Sequence, residues 1–433
     1  MTLHFTTLGC KVNQYETSAL QTLLVSRGHR LVREGEVADV VVINTCAVTG
    51  ESERKSRQAI RKAKEAHPGA FVAVCGCFSE LSPEAIADLE ADLISGTADR
   101  AAFVDELEAL VCGGGILPAG EHPKALDQRD FELLPAGSLE GRTRALLKVQ
   151  DGCENFCTYC IIPYVRGPIR SSSLAKAVEQ VKALAAEGYR ELVITGIEIS
   201  SYGLEREGGE DLVDLVEAVC QAAPGLRIRL GSLEPRTITE EFCGRLKGYE
   251  NLCPQFHLSL QSGSDEVLRR MGRRYDTARY LESVTRLREA FPGCGITTDL
   301  IVGFPGECEI DCEKTIEFMR ECGFSAVHVF PYSPREGTKA AEMADQVPKA
   351  IRTERAKQVR AVARELQAGF LEAQIGKRMP ILFESEEKGV SRGHTPHYCA
   401  VSVEAVGLKN EVLPVTIVDV SGEILLGEIS SFV

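Results

Sequence analysis

Residues Gln150-Asp151-Gly152-Cys153-Glu154-Asn155-Phe156-Cys157-Thr158-Tyr159-Cys160 place three cysteines in a Cys-x3-Cys-x2-Cys spacing, directly after a strand-like run. With 16 cysteines in 433 residues, one given triple spacing arises by chance roughly 0.02 times per chain, so this one constrains everything built around it. Thiolates are the usual ligands of iron–sulfur clusters, and a loop of this length can wrap one cube. Three ligands leave a fourth iron open, which suits a cluster that binds a substrate-like molecule rather than one that only carries electrons. A structural zinc site normally takes four protein ligands. No fourth Cys or His is near: His122 lies 31 residues before Cys153, and the next histidine is His257.

The chain is too long for one core, so two or three domains are expected. Its 44% hydrophobic and 26% charged residues are those of an ordinary soluble globular protein. The opening MTLHFTTLGCK has no basic segment leading into an apolar run, and the richest apolar stretch, Val40–Ile43, is only strand-length. Neither a signal peptide nor a membrane span is expected, which implies a cytoplasmic protein with no membrane partner. In a reducing compartment, abundant cysteine favours metal or redox chemistry over disulfides. A net charge of −14 excludes a generally adhesive nucleic-acid binder, so any RNA site must be local.

Residues 1–117 alternate strand-like runs (Leu3–Leu8, Val40–Ile43, Phe71–Val74) with amphipathic helical stretches (Glu16–Ser26, Glu51–Ala66, Pro83–Leu89), which predicts a parallel α/β domain. Cys10, Cys46 and Cys77 each follow one of these strands, at the edge where open α/β sheets collect ligands. Gly113-Gly114-Gly115 and the Pro- and Gly-rich stretch to Gly141 read as a linker over 118–141. Residues 142–348 carry six further strand and helix pairs: Ala145–Val149, Leu192–Thr195, Arg227–Leu230, Phe256–Leu260, Thr297–Val302 and Ala326–Phe330 are the strands. This predicts a partial (β/α)6 barrel with its chemistry on the loops after the strands. A single long helix is expected over 349–375. Short strands at Pro380–Glu384, Ala400–Val406 and Leu413–Val420 suit a small β-barrel over 376–433. The fold class is therefore α/β with a C-terminal β-barrel.

The cysteine triple resembles the signature of the radical S-adenosylmethionine enzymes. In them the open iron holds the amino and carboxylate groups of S-adenosylmethionine, and an electron from the cluster releases a 5′-deoxyadenosyl radical. Leu8-Gly9-Cys10, Asn44-Thr45-Cys46 and Gly76-Cys77 extend the likeness to the methylthiotransferases, whose N-terminal domain holds an auxiliary [4Fe-4S] cluster on three such cysteines. Cys75 departs from that pattern and competes with Cys77. The resemblance further covers Ile162-Pro163-Tyr164-Val165-Arg166-Gly167, Ser232-Leu233-Glu234-Pro235, His257-Leu258-Ser259-Leu260-Gln261-Ser262-Gly263 and Val302-Gly303-Phe304-Pro305-Gly306-Glu307. It implies two [4Fe-4S] clusters, S-adenosylmethionine as methyl donor and radical source, and cofactor contacts from Tyr159, Thr195, Gly196, Ser232, Glu234 and Gln261, with Glu198 nearby. The bland readings are core packing for Tyr159, turn residues for the glycines and backbone satisfaction for the Glu and Gln.

The C-terminal segment with Gly393-His394-Thr395-Pro396 resembles the TRAM domain, an RNA-binding barrel. Residues 377–433 nevertheless carry five Lys or Arg against eight Asp or Glu, whereas Lys349–Leu366 has six basic and two acidic residues. Arg269, Arg270, Arg273 and Arg274 form a second basic group, and either group is an RNA contact or a solvated face. The run Thr7-Leu8-Gly9-Cys10-Lys11-Val12-Asn13-Gln14 is similar to the branch acting on threonylcarbamoyl-adenosine beside the tRNA anticodon. The isopentenyl-adenosine branch usually has Gln-Met-Asn after the cysteine, and the ribosomal-protein branch Pro-Lys-Asn. A threonyl carboxylate favours an Arg partner, with Arg166, Arg170 and Arg335 available. The implied partners are a tRNA anticodon stem-loop and an electron donor such as a flavodoxin. A zinc-binding or redox-sensing RNA-binding protein is the non-enzyme alternative. The remaining cysteines, Cys308 and Cys312 included, read as structural.

Overall fold

A computed structural model describes residues 1–33, 35–113, 123–136 and 143–429. Of the linker expected over 118–141, residues 118–122 and 137–141 lie outside the described residues. The part between them is packed: Leu134 is buried, and its carbonyl accepts a hydrogen bond from the Tyr15 hydroxyl at 2.9 Å.

The N-terminal sheet is fully parallel in the order Arg30–Leu31, Thr2–Thr7, Val40–Thr45, Phe71–Gly76, Leu93–Ile94. Its central strand, Val40–Thr45, is buried along its length because helices cover both faces, which is why it reads as an unbroken apolar run. Val41 and Ile43 enter one hydrophobic cluster with Ile60 and Phe78, while Val40 and Val42 enter another with Leu20, Phe103 and Leu107. The first helix starts at Lys11 rather than near Glu16, with Cys10 at its N-cap. Cys10 makes no side-chain cap bond, so tertiary bonds from Asn13 fix this start: Nδ2 donates to Leu8 O at 2.8 Å and Thr45 O at 2.9 Å.

Six parallel strands follow: Arg144–Asp151, Glu191–Gly196, Arg227–Leu230 continued beyond Gly231 as Ser232–Leu233, Gln255–Leu258, Gly295–Val302 and Ala326–Pro331. At Gly231 the third strand passes from one neighbour to the next, its N–H donating to Ile194 O at 2.8 Å while Ser232 registers with His257. The result is an open, partial barrel around one large core. Helix Lys349–Glu372 packs on its last strand and leads to a closed barrel of five strands. Two of these, Val390–His394 and Ile424–Glu428, were not expected from the sequence. Each closes a hairpin through a two-residue turn; at Lys388-Gly389 both residues have positive φ, as a type I′ turn demands.

The barrel and the N-terminal domain are joined by a buried charge network. Glu16, 1% exposed, accepts from Arg100 at 3.0 Å, Lys148 at 3.1 Å and Arg166 at 3.2 Å. Asp151 faces Lys148, Arg166 and Arg170 on the barrel side. Burial alone would push both carboxyls up, but these cations overcome it and hold both below the ordinary carboxylate range.

Removing one member of a buried pair leaves an uncompensated charge. Glu16→Gln is therefore expected to lower unfolding stability by about 3–5 kcal/mol, read from urea denaturation. Because the folded values of Glu16 and Asp151 lie below those of the unfolded chain, their stabilisation is complete above about pH 5 and is lost as pH falls through the folded values. A melting temperature that stays flat on acidification from pH 6 to 4 and below would contradict this.

Candidate active site

Three turns deliver the N-terminal thiols to one sheet edge. Gly9 has φ +107°, and a Cβ there would stand 3.2 Å from Cys46 Sγ, so the Cys10 turn lies directly against Cys46. Gly76 has φ +105°, and its Cβ would meet Asn44 Oδ1 and Thr45 O at 2.5 Å, so only glycine admits the turn that opens helix Cys77–Leu81. Asn13 ties the first two turns together, adding a bond from Nδ2 to Asn44 Oδ1 at 3.2 Å. Arg166 reaches in from the barrel side, donating from Nε to Cys77 Sγ at 3.3 Å and from Nη2 to Asn13 Oδ1 at 2.8 Å.

Burial pushes the Cys77 thiol up to about 12, with Arg166 opposing and the Cys10 and Cys46 thiols adding to it. Burial also raises Cys46, where Cys10 adds a smaller effect. The three sulfurs thus sit within electrostatic reach of one another, and metal ligation there must release protons. Cys75 lies on the opposite face of the sheet, in the cluster with Leu20, Val42 and Phe103, and its thiol faces Arg100 and Glu16 instead.

The second trio sits on a loop pinned at several points. Gly152 turns the chain at φ +77° where a Cβ would collide with Pro168 O, and Cys153 N donates to Gly167 O at 3.1 Å. Thr158 is held by Met271 O at 2.9 Å, Arg270 O at 2.9 Å and Ala340 N at 2.8 Å, and Cys160 N donates to Cys157 O at 2.9 Å. Arg273 Nη1 donates to Cys157 Sγ at 3.3 Å. Burial raises Cys153 to about 11 and Cys160 to about 12. Among the described residues no three His, Cys, Asp or Glu side chains close on a single metal ion. The donor set of each trio is three thiols that act on one another electrostatically, the ligand type that iron–sulfur clusters use.

One short helix links the two trios. Ile162–Arg166 begins two residues after Cys160, packs against Cys77–Leu81 and ends at the guanidinium that contacts Cys77. Ile161 and Val165 belong to the same hydrophobic cluster as Cys77 and Phe78.

Beside Cys153 lies a cavity of about 410 Å³, lined by Asn155, Glu198, Ser200, Glu234, Arg236 and Arg274 among others. Burial raises the Glu198 carboxyl despite donation from Ser201 Oγ and Ser200 N, and the Glu234 charge raises it further. Arg236 Nε donates to both Glu234 oxygens, at 2.9 and 3.0 Å. The cavity wall is thus mixed: the Glu234 carboxylate is matched by Arg236, and the Glu198 carboxyl beside it holds its proton more readily than a free one.

The other sequence-derived cofactor contacts divide. Ser232 lines a larger cavity of about 880 Å³ in the barrel lumen. Thr195 and Gly196 end the second strand, in register with Lys148 and Gln150 respectively, and line neither cavity. Gln261 has φ +70° and bridges the fifth strand through its backbone, with bonds to Asp299 O and Ile301 N at 2.9 Å. Tyr159 packs edge-on to Phe304 at 6.4 Å, beside Val267 and Met271, in a small core cluster.

Sequence reasoning missed Asn155 and the role of Arg273, which it counted in a basic surface group. In that group Arg269 pairs with Glu266, Arg270 with Asp345, and Arg273 turns inward. The three arginines considered for a substrate carboxylate are also engaged: Arg166 and Arg170 in the buried network, Arg335 with Glu53 at 2.7 Å. No helix among the described residues is long and apolar enough to cross a membrane.

Comparison with known proteins places this geometry. The model of the radical SAM superfamily matches residues 147–319, and a second model, described as an uncharacterized protein family, matches residues 2–96. A threonylcarbamoyladenosine tRNA methylthiotransferase MtaB of Thermotoga maritima is 36% identical over 94% of this chain and 92% of its own length. Its namesake in Bacillus subtilis is 37% identical over 92% and 90%. Among solved structures, the radical S-adenosylmethionine methyltransferase TsrM from Kitasatospora setae shares the fold, with TM-score 0.55 and 17% identity over 77% of this chain and 74% of that one.

Anaerobically assembled protein is expected to hold about eight irons per chain if each trio carries one cube. Cys77→Ser should lower the count to about four and Cys75→Ser should leave it at about eight. Iron and acid-labile sulfide analysis of the two variants decides between the neighbouring thiols, and the reverse pattern would reassign the ligand.

Proposed function

This chain belongs to the radical S-adenosylmethionine methylthiotransferases, and from that membership we propose that it transfers a methylthio group to carbon-2 of N-threonylcarbamoyl-adenosine beside the anticodon of tRNA. What carries the reading is similarity along almost the whole chain to relatives named for that activity, together with two cysteine trios flanking one five-residue helix. The enzyme uses S-adenosylmethionine and a [4Fe-4S] cluster. We assign that cluster to Cys153, Cys157 and Cys160, and a second [4Fe-4S] cluster to Cys10, Cys46 and Cys77.

When bound, these groups supply radical chemistry at a carbon that has no acidic proton, and the sulfur that is installed there. The chain's own residues bind and orient. Glu198 and Glu234 line the cavity beside Cys153 that we assign to the cofactor; of the remaining sequence-derived contacts, Ser232 lines the lumen. Arg166 and Arg273 each aim one N–H at a ligand sulfur, lowering the electron density there.

For RNA, the long helix offers fewer cations than its composition suggests. Arg352, Arg355 and Arg360 donate to Tyr332 O, Glu307 and Val329 O of the barrel. Lys349, Lys357 and Arg364 remain exposed and, with the C-terminal barrel, form the proposed surface for the anticodon stem-loop. The domain assignment that goes with this reading is 1–117 for the auxiliary cluster, 142–348 for the radical chemistry and 376–433 for RNA, with 349–375 connecting. The reaction takes place in the cytoplasm and draws electrons from a donor such as a flavodoxin.

Nucleoside mass spectrometry of tRNA from a deletion strain tests the proposal. Loss of the 2-methylthio form of threonylcarbamoyl-adenosine, restored by the intact gene but not by a Cys153, Cys157 and Cys160 triple replacement, is the expected result. Unchanged tRNA would sink it, and loss of the methylthio isopentenyl form instead would move the activity to the neighbouring branch.

A further inference from the structure

The 880 Å³ cavity runs through the barrel lumen from Ser232, at the end of a strand, to a floor made by the C-terminal barrel. Its charged walls are mostly neutralised from within. Arg144 pairs with Glu384, Arg229 with Glu191 at 3.0 Å, and Asp299 faces His257 at 3.4 Å. One cation is left. Lys11, the first residue of the N-terminal domain's first helix and the immediate neighbour of Cys10, lines this cavity without an ion pair or side-chain hydrogen bond among the described residues. Gln14, one turn further along the same helix face, lines it too, and its amide is equally free of hydrogen bonds among the described residues.

An ammonium and an amide side by side, at the mouth of a lumen whose other charges are matched, form a receptor for a carboxylate attached to a hydrogen-bonding stem. On the proposed function, the substrate base carries such a group. We infer that Lys11 is the specificity-determining residue of this enzyme, pairing with the threonyl carboxylate of the modified adenosine while Gln14 bonds the adjoining carbamoyl or hydroxyl group. An adenosine bearing an apolar tail offers the exposed ammonium no partner, so only the carboxylate gains from this contact. The inference rests on the threonylcarbamoyl reading above and goes beyond it by naming the group that makes the choice. It also relocates the choice. Arg166, Arg170 and Arg335, the carboxylate partners that composition suggests, are all occupied, whereas Lys11 comes from the domain that holds the auxiliary trio. Recognition of the substituent and presentation of sulfur would then share one helix start.

The test compares two synthetic anticodon stem-loops, one carrying threonylcarbamoyl-adenosine and one carrying its methyl ester, on the anaerobically reconstituted holoenzyme. Dissociation constants from fluorescence anisotropy and kcat/KM for methylthiolation are both read. Wild type should favour the acid over the ester by about 10- to 100-fold, the range of one charge-assisted hydrogen bond. Lys11→Met should abolish that preference by weakening acid binding alone, and Lys11→Arg should keep most of it; iron content at the wild-type level reports an intact fold in each. A Lys11→Met protein that retains the wild-type ratio of acid to ester overturns the inference while leaving the threonylcarbamoyl reading intact. A wild-type enzyme that modifies neither RNA overturns that reading and the inference with it.

Discussion

Glu16 is the point from which the rest of the structure is hung. It lies on the first helix, four residues before Leu20 enters the N-terminal core, and it takes hydrogen bonds from a cation of its own domain, Arg100, and from two of the barrel, Lys148 and Arg166. A carboxylate so far from water is tolerable only because three cations surround it, and those cations are tolerable only because of Glu16 and Asp151. Sliding one domain over the other by even a few ångströms would strand several charges at once. The interface is therefore held in register more sharply than an apolar contact of the same size would hold it. Arg166 uses that register: the guanidinium fixed by Glu16 is the one that contacts Cys77.

Each cysteine trio receives one buried guanidinium, Arg166 at Cys77 and Arg273 at Cys157. Both sites face the same problem. Buried thiols resist ionisation, as Cys77 and Cys160 do, yet only thiolates ligate iron. A nearby permanent cation lowers the cost of the thiolate and later withdraws charge from the cluster. The two arginines are placed differently, however. Arg166 is locked in a network spanning two domains, whereas Arg273 is held by the Tyr275 hydroxyl at 3.0 Å within the barrel. On the proposed assignment, the auxiliary site is thus electrostatically tied to domain assembly, and the radical site is complete within its own barrel.

Much of this was legible in the sequence. The central N-terminal strands and the first two barrel strands are largely buried runs rich in Val, Ile and Leu, a local signal legible without tertiary context. The cysteine turns were legible because Cys10, Cys46 and Cys77 each follow a strand-like run and Cys153, Cys157 and Cys160 share one short spacing. What escaped was set by distant partners. The first helix begins at Lys11 because Asn13 bonds across to Leu8 and Thr45, which no local pattern announces. Val390–His394 and Ile424–Glu428 are short strands whose pattern is cut by two-residue turns. Arg273 looked like one of four surface cations, and only the packing shows that it turns toward Cys157. Thr195, Gly196 and Gln261, given as cofactor contacts by family likeness, line neither of the two cavities described, which leaves those contacts as part of the proposal.

The C-terminal barrel gives the last step. The segment Gly393-His394-Thr395-Pro396 marks the RNA-binding resemblance, yet its carbonyls face inward: Arg227 donates to Thr395 O at 3.0 Å and Arg229 to Pro396 O at 3.0 Å. Tyr398 stacks on His394 at 4.8 Å and lies under the guanidiniums of Arg144 and Arg229, at 5.1 and 4.7 Å. Arg144 and Arg227 open the first and third barrel strands, and Glu191 opens the second, so the motif caps the amino ends of the strands. Capping that end leaves open the carboxyl ends, where the loop of Cys153, Cys157 and Cys160 follows the first strand, and on the proposed function that is the side from which the nucleotide enters. It also means that RNA contact by the C-terminal barrel must come from other faces than its signature loop. On the proposed function, the exposed cations Lys349, Lys357 and Arg364 lie along the long helix rather than on the acidic barrel, so the charge balance of that barrel alone does not decide RNA contact.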